Sequence, residues 1–268
     1  MKFADNSVVA AELLPPPPRA DVASIALFLD VDGTMLDIAL RPDAVVVEPT
    51  LRQTLSTLHA RLGGALAIVS GRPIHEIDAL LALDDVATAG LHGAELRAEG
   101  HATLAQPVPN PRLDRARAHA IEIAAAIPGV LVEDKGGAIA LHYREVPDAE
   151  TATREAAHGL LMLAGSDYEL IHGKAVVELK PRHADKGTAL ASLMQITPFA
   201  GRTPWMIGDD LTDEDAFVET NRERGVSVIV GPRRPTLARH ALAGPAAARA
   251  WLASLASLAS LALLENPR

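Results

Sequence analysis

The sequence predicts an α/β fold: a Rossmann-like parallel sheet flanked by helices, with a smaller α+β unit inserted into it. Three observations predict this. Short, largely apolar runs at residues 25–29, 65–69, 205–208 and 226–230 have the length of strands buried on both faces. Between the first two, Leu51, Leu55, Leu58 and Leu62 recur at helical spacing before Gly63 and Gly64 stop the helix. Such strand–helix alternation with short connections is the grammar of right-handed βαβ units. From residue 109 to 179 the pattern changes to two helices and about four strands joined through glycines, and the βα alternation then resumes.

Residues 1–22 carry Pro15 to Pro18 in a row and little periodicity, so a flexible tail is expected. The main unit is expected over residues 23–108 and 180–268, and the insert over 109–179. After the second strand, Pro73 suits the first turn of a helix. A short strand within residues 87–95 leads to His92 and Glu95, and Pro107, Pro109 and Pro111 punctuate a hinge. In the insert, helices are expected over 113–127 and 149–163. Strands are expected near 130–132, 138–143, 168–172 and 174–179. Asp185 suits the N-cap of a helix that starts at Lys186. From Pro245 onward, Leu252, Leu255, Leu258 and Leu261 recur every three residues, as in a terminal helix laid over the core.

Composition narrows the function. Hydrophobic residues make up 49% of the 268 and aromatics only 3%, so the core is built from Ala, Leu, Val and Ile. A formal net charge of −9 argues against binding the backbone of a nucleic acid, which needs clustered cations. It leaves room for a small anionic ligand held by local cations. Cysteine is absent, which removes disulfides, thiolate metal sites and cysteine nucleophiles. No stretch has the length of a membrane span or a secretory signal, and a soluble cytoplasmic protein without membrane partners is expected.

The chemistry concentrates at strand ends. Asp30-Val31-Asp32-Gly33-Thr34 follows the first strand, and ligands of open α/β sheets bind at that edge. Ser70 follows the second strand on the same edge; it suits a plain helix N-cap equally well. Five acids crowd residues 209–215 after a third strand. Lys186 opens a helix, where free N–H groups already favour anions. Two carboxylates 4 Å apart repel by about 4 kcal/mol at an effective dielectric of 20. Several of them would not assemble around a phosphate without compensating charge from a divalent cation and Lys186. All-oxygen ligands point to Mg2+ over Zn2+. Asp30, first after the strand, is the better nucleophile toward phosphorus, and Asp32 the general acid and base. Thr34, Ser70 and Lys186 would hold the phosphoryl oxygens.

Together these four sites resemble the haloacid dehalogenase superfamily of phosphohydrolases. Motif one matches Asp30 to Thr34, motif two Ser70, motif three Lys186, and motif four Gly208 to Asp210 with Asp213. In that superfamily the insert is a cap that closes over the active site and selects the substrate. More narrowly, Ile68 to Arg72, Gly90 to Glu95, Glu133 to Lys135, Leu141 to Arg144, His172 to Lys174 and Gly208 to Phe217 resemble the trehalose-6-phosphate phosphatase family. The resemblance implies hydrolysis of a small sugar phosphate through an aspartyl-phosphate. It implies metal ligation by Asp30, Asp32 (through its backbone carbonyl) and Asp209, with Asp210 and Asp213 behind them. It further implies that Glu133, Lys135 and Glu178 hold sugar hydroxyls, with Arg72, His92 and Lys174 at the substrate. His92 and His172 stay open between substrate contact and structural hydrogen bonding. The rivals are a phosphatase for sucrose phosphate or mannosyl phosphoglycerate, a phosphomutase, and an inactive sugar-phosphate-binding regulator.

Overall fold

The structure, a computed structural model, describes residues 14–39, 41, 45–98, 100 and 102–264, side chains beyond residue 257 excepted. The chain begins with β1 (Ile25–Leu29), α1 (Pro49–Arg61), β2 (Leu66–Val69), α2 (Ile74–Leu81), β3 (Ala87–Gly90), β4 (Glu95–Arg97) and β5 (Thr103–Ala105). The insert follows with α3 (Pro111–Ala126), β6 (Leu131–Asp134), β7 (Ile139–His142), α4 (Glu150–Ala164), β8 (Tyr168–Gly173) and β9 (Val176–Pro181). The main unit then resumes with α5 (Lys186–Leu193), β10 (Thr203–Gly208), α6 (Glu214–Arg222), β11 (Val226–Val230), β12 (His240–Leu242) and α7 (Pro245–Leu264).

The main sheet has eight strands in the order β12-β11-β10-β1-β2-β3-β4-β5. β1 lies between β10 and β2, parallel to both, and all five of its residues are buried. Its apolar run is therefore covered on both faces, the reason it shows no alternation. Phe28, fully buried, meets Phe199 at 5.4 Å between ring centroids. The strands are parallel from β12 to β3, but β4 and β5 add antiparallel pairs at one edge. These three-residue strands, like β12, are too short to leave a periodic signal in the sequence.

The helices follow their local chemistry with two corrections. Asp185 caps α5 as expected, accepting from the Thr188 N–H at 2.7 Å. Pro73, by contrast, is the N-cap residue of α2 and not its first helical residue, and Ser70 lies three residues ahead of it without capping it. α7 lies beside α1, with Leu252 and Leu255 buried and Trp251 stacked on Trp205 at 5.9 Å. Leu258 and Leu261 fall outside the described side chains. Among the described residues no helix is long and apolar enough to cross a membrane.

The expected flexible tail lies outside the described residues up to position 13. From Leu14 onward it is held: Leu14, Ala20 and Val22 pack on the core, and the Pro15 carbonyl accepts from the Ala241 N–H of β12 at 2.9 Å. A proline run lacks donors but keeps its carbonyls, so it can still cover a sheet edge.

The insert forms its own antiparallel sheet, ordered β6-β7-β9-β8, with α3 and α4 packed on one face. Ile139, Leu141, Val177 and Leu179 share an apolar cluster with both helices. The alternate residues take the other face. Register places Glu133 opposite Ala140, and Ala140 opposite Glu178, so the two carboxylates flank one small side chain. Replacing Phe28 by Ala should lower stability by about 3–5 kcal/mol, because the cavity would open in the middle of the main sheet. Urea unfolding should show this as a fall in midpoint; an unchanged midpoint would contradict the packing described.

Candidate active site

Three parallel strands deliver Asp30, Ser70 and Asp209 to one edge of the main sheet, beyond β1, β2 and β10. Lys186, the first residue of α5, places its Nζ 2.7 Å from both Asp30 Oδ1 and Asp213 Oδ1. The Thr34 hydroxyl lies 2.8 Å from Asp30 Oδ2 and 3.0 Å from Asp209 Oδ1, one proton between two carboxylates. Ligand oxygens of Asp30, Asp209 and Asp213 all lie within 4.8 Å of one another, and all three residues are buried. This close approach requires Gly33, whose φ is +85° and where any Cβ would come within 2.2 Å of Asp209.

Asp213 has both oxygens engaged. Oδ1 accepts from Lys186, and Oδ2 accepts from the Asp209 and Asp210 N–H groups at 2.8 and 2.9 Å. It braces the loop that carries Asp209. Asp32 is placed differently: its carboxylate is gripped by the Arg72 guanidinium in a fork of 2.6 and 2.8 Å and stays out of the acidic cluster. The Ser70 Oγ accepts from the Arg72 N–H at 3.2 Å, so its own proton is left to donate elsewhere.

Burial pushes the Asp30 carboxyl well up, and Asp213 and Asp209 add to this against the pull of Lys186. Asp209 is raised by burial and by Asp213, with Lys174 opposing. Burial alone would push the Lys186 ammonium down, but Asp213 and Asp30 outweigh it and hold it charged. Among the described residues, these three carboxylates face the ammonium groups of Lys186 and Lys174. A hard cation fits such an all-oxygen set, and its charge would reverse the upward shifts.

The insert supplies the opposite wall. Lys135 donates to Glu178 at 2.8 Å and reaches across to the Gly71 carbonyl at 3.1 Å. Burial would raise the Glu178 carboxyl, but Lys135 and His92 outweigh it and hold it well below the usual range. His92 Nε2 stands 3.4 Å from Glu178, and burial lowers the ring's affinity for a second proton. Lys174, in the turn between β8 and β9, pairs with Asp209 in the main unit. Arg144 donates to the Lys174 carbonyl at 2.8 Å and to the Ala39 carbonyl.

One cleft is thus lined by Asp30, Asp32, Ser70, Arg72, His92, Glu133, Lys135, Lys174, Glu178, Lys186, Asp209 and Asp210. Thr34 and Asp213 sit against its floor through their bonds to Asp30 and Lys186. His172 is exposed and outside the cleft lining. Sequence reasoning assigned no role to His142, Arg144, Ile38 or Ala39, which also line it. The first two lie in a stretch that carried the family resemblance, so a signal was present; the loop after Leu36 offered none.

Comparison with known proteins gives the family. The model of one protein family, trehalose-phosphatase, matches residues 28–245. A probable trehalose-phosphate phosphatase of Sinorhizobium fredii is 43% identical over 215 residues, covering 80% of this chain and 81% of that one. The trehalose-6-phosphate phosphatase of Escherichia coli is 41% identical over 230 residues, 86% of each chain. The C-terminal domain of the Candida albicans trehalose-6-phosphate phosphatase superposes with a TM-score of 0.78 at 22% identity, covering 90% of this chain and 99% of that one, a likeness of fold. The chain belongs to the trehalose-phosphatase family, a family of phosphoric monoester hydrolases.

Proposed function

We propose that this protein hydrolyses trehalose 6-phosphate to trehalose and phosphate, with Asp30 carrying the phosphoryl group between two steps. The observation that carries this reading is the cleft itself: a buried nucleophile and ammonium on its floor, facing a wall of carboxylates and ammonium from the insert. Asp30, Asp209 and the Asp32 backbone carbonyl would hold Mg2+, which when bound offsets the negative charge of the acids and the phosphate.

The remaining chemistry belongs to the chain's own groups. Asp30 attacks phosphorus, the bond to the sugar oxygen breaks, and that oxygen takes a proton from Asp32. Water, deprotonated by Asp32, then attacks the same phosphorus and releases Asp30. Both Asp32 oxygens are held by Arg72 in the structure, so proton transfer requires the carboxyl to leave that fork. Lys186, Thr34 and the free Ser70 proton hold phosphoryl oxygens where charge builds up.

Residues 109–179 act as the cap. Glu133, Lys135 and Glu178 suit the hydroxyls of a polyhydroxylated ring, and Lys135 reaching Gly71 ties their position to the catalytic loop. Arg72, His92 and Lys174 complete the substrate wall in this reading, and Asp210 supports the metal side.

Asp30→Asn should cut phosphate release by at least about 10^3-fold, since an amide is a poor nucleophile; near-normal turnover would refute the covalent route. Chelation with EDTA should stop turnover and added Mg2+ restore it, and full activity in the chelator would exclude the metal. Glu133→Ala should lower kcat/KM for trehalose 6-phosphate by about 10- to 100-fold, as expected for a lost bond to a charged group. With p-nitrophenyl phosphate the same variant should stay near the parent enzyme, and equal losses on both substrates would place Glu133 outside sugar recognition.

A further inference from the structure

We propose that His142 is a positioning residue for the reaction: it fixes the Glu133 carboxylate toward the sugar and so helps determine substrate specificity. This rests on the assignment of Glu133 to sugar recognition above.

The geometry begins with strand register. Glu133 on β6 pairs with Ala140 on β7, and His142 on β7 pairs with Leu131 on β6. Glu133 and His142 are therefore diagonal neighbours on the face of the sheet turned away from α3 and α4, within reach of long side chains. Their contact is short, 2.6 Å between His142 Nε2 and Glu133 Oε2, and the two side chains are only 11% and 17% exposed. Both line the cleft.

The other ring nitrogen sets the tautomer. His142 Nδ1 is buried and, among the described residues, has no hydrogen-bond partner. A proton there would be a buried donor without an acceptor, which is costly. Nε2 accordingly carries the proton donated to Glu133. Glu133 then has one oxygen occupied and one free to accept from a sugar hydroxyl.

Such a brace is needed because Glu133 is contested. Lys135 and Arg72 both act on it electrostatically. Either cation would draw a loose carboxylate out of line with a sugar ring, and glutamate has three side-chain torsions with which to follow. The bond from His142 removes that freedom before substrate arrives, so the ordering is not left to the binding step. Phosphoryl transfer itself is untouched, because His142 bonds to no group on the cleft floor.

The test is a set of steady-state measurements on the full chain with Mg2+, using trehalose 6-phosphate and p-nitrophenyl phosphate. His142→Ala should raise KM for the disaccharide phosphate by about 10-fold, the size of one lost charge-assisted bond. On the aryl phosphate it should stay within about 2-fold, which also reports an intact fold. His142→Gln, whose amide N–H can stand where Nε2–H stood, should recover most of the loss. In the Glu133→Gln background, His142→Ala should cost little more, because the partner it positions has already been altered. Equal losses on both substrates, additive losses in the double variant, a Gln variant no better than Ala, or no change in KM would each overturn the proposal. If Glu133→Gln itself leaves the disaccharide kinetics unchanged, the assignment of Glu133 falls and His142 with it. If Glu133→Gln is impaired and His142→Ala is not, His142 alone is refuted.

Discussion

A single buried ammonium group holds the site together. Lys186 lies between the carboxylates of Asp30 and Asp213, and all three are almost wholly out of water. Without that cation, two buried acids would face each other in a medium of low dielectric, and one would have to bind a proton or leave. Lys186 can occupy this position because it begins a helix capped by Asp185, which fixes the backbone beneath it. Asp213 turns the same interaction into loop geometry, since its second oxygen gathers two backbone N–H groups beside Asp209. The pair thus sets the distance between Asp30 and Asp209, which are 179 positions apart in sequence.

Burial of charge is tolerated here only because each group is paired. The Lys135–Glu178 contact in the insert follows the same rule, with a carboxylate and an ammonium both sunk into the interface between the two sheets. Removing one partner of such a pair strands the other, at a cost of several kcal/mol. The main unit and the insert therefore share a physical device, opposite charges locked together away from solvent. They are also joined directly, since Lys135 bonds to the Gly71 carbonyl next to Ser70.

The inserted sheet shows how one periodicity serves two purposes. Along β7, Ile139 and Leu141 pack under the helices, while Ala140 and His142 take the other face and His142 lines the cleft. A two-residue repeat makes the apolar face and the polar face inseparable, so a slip of one residue would destroy both. The small Ala140 keeps Glu133 and Glu178 apart without filling the space between them.

Much of this was readable along the chain. The strands β1, β2, β10 and β11, the Asp185 cap of α5 and the four motifs are local features, because a buried parallel strand must be apolar and an acid at its end has little structural reason to be there. Those motifs also pointed to the family whose model matches residues 28–245. The short edge strands β4, β5 and β12 left no pattern, since three residues complete too little of a period to register. Only the tertiary structure decided which partner each charged side chain would take: Asp32 on Arg72, Asp213 under Asp209, His142 on Glu133. Chain composition says that acids and cations are present. Pairing depends on which side chains the packed sheets bring within about 3 Å, and hydrogen-bond strength falls away too steeply with distance and angle for spacing along the sequence to encode it.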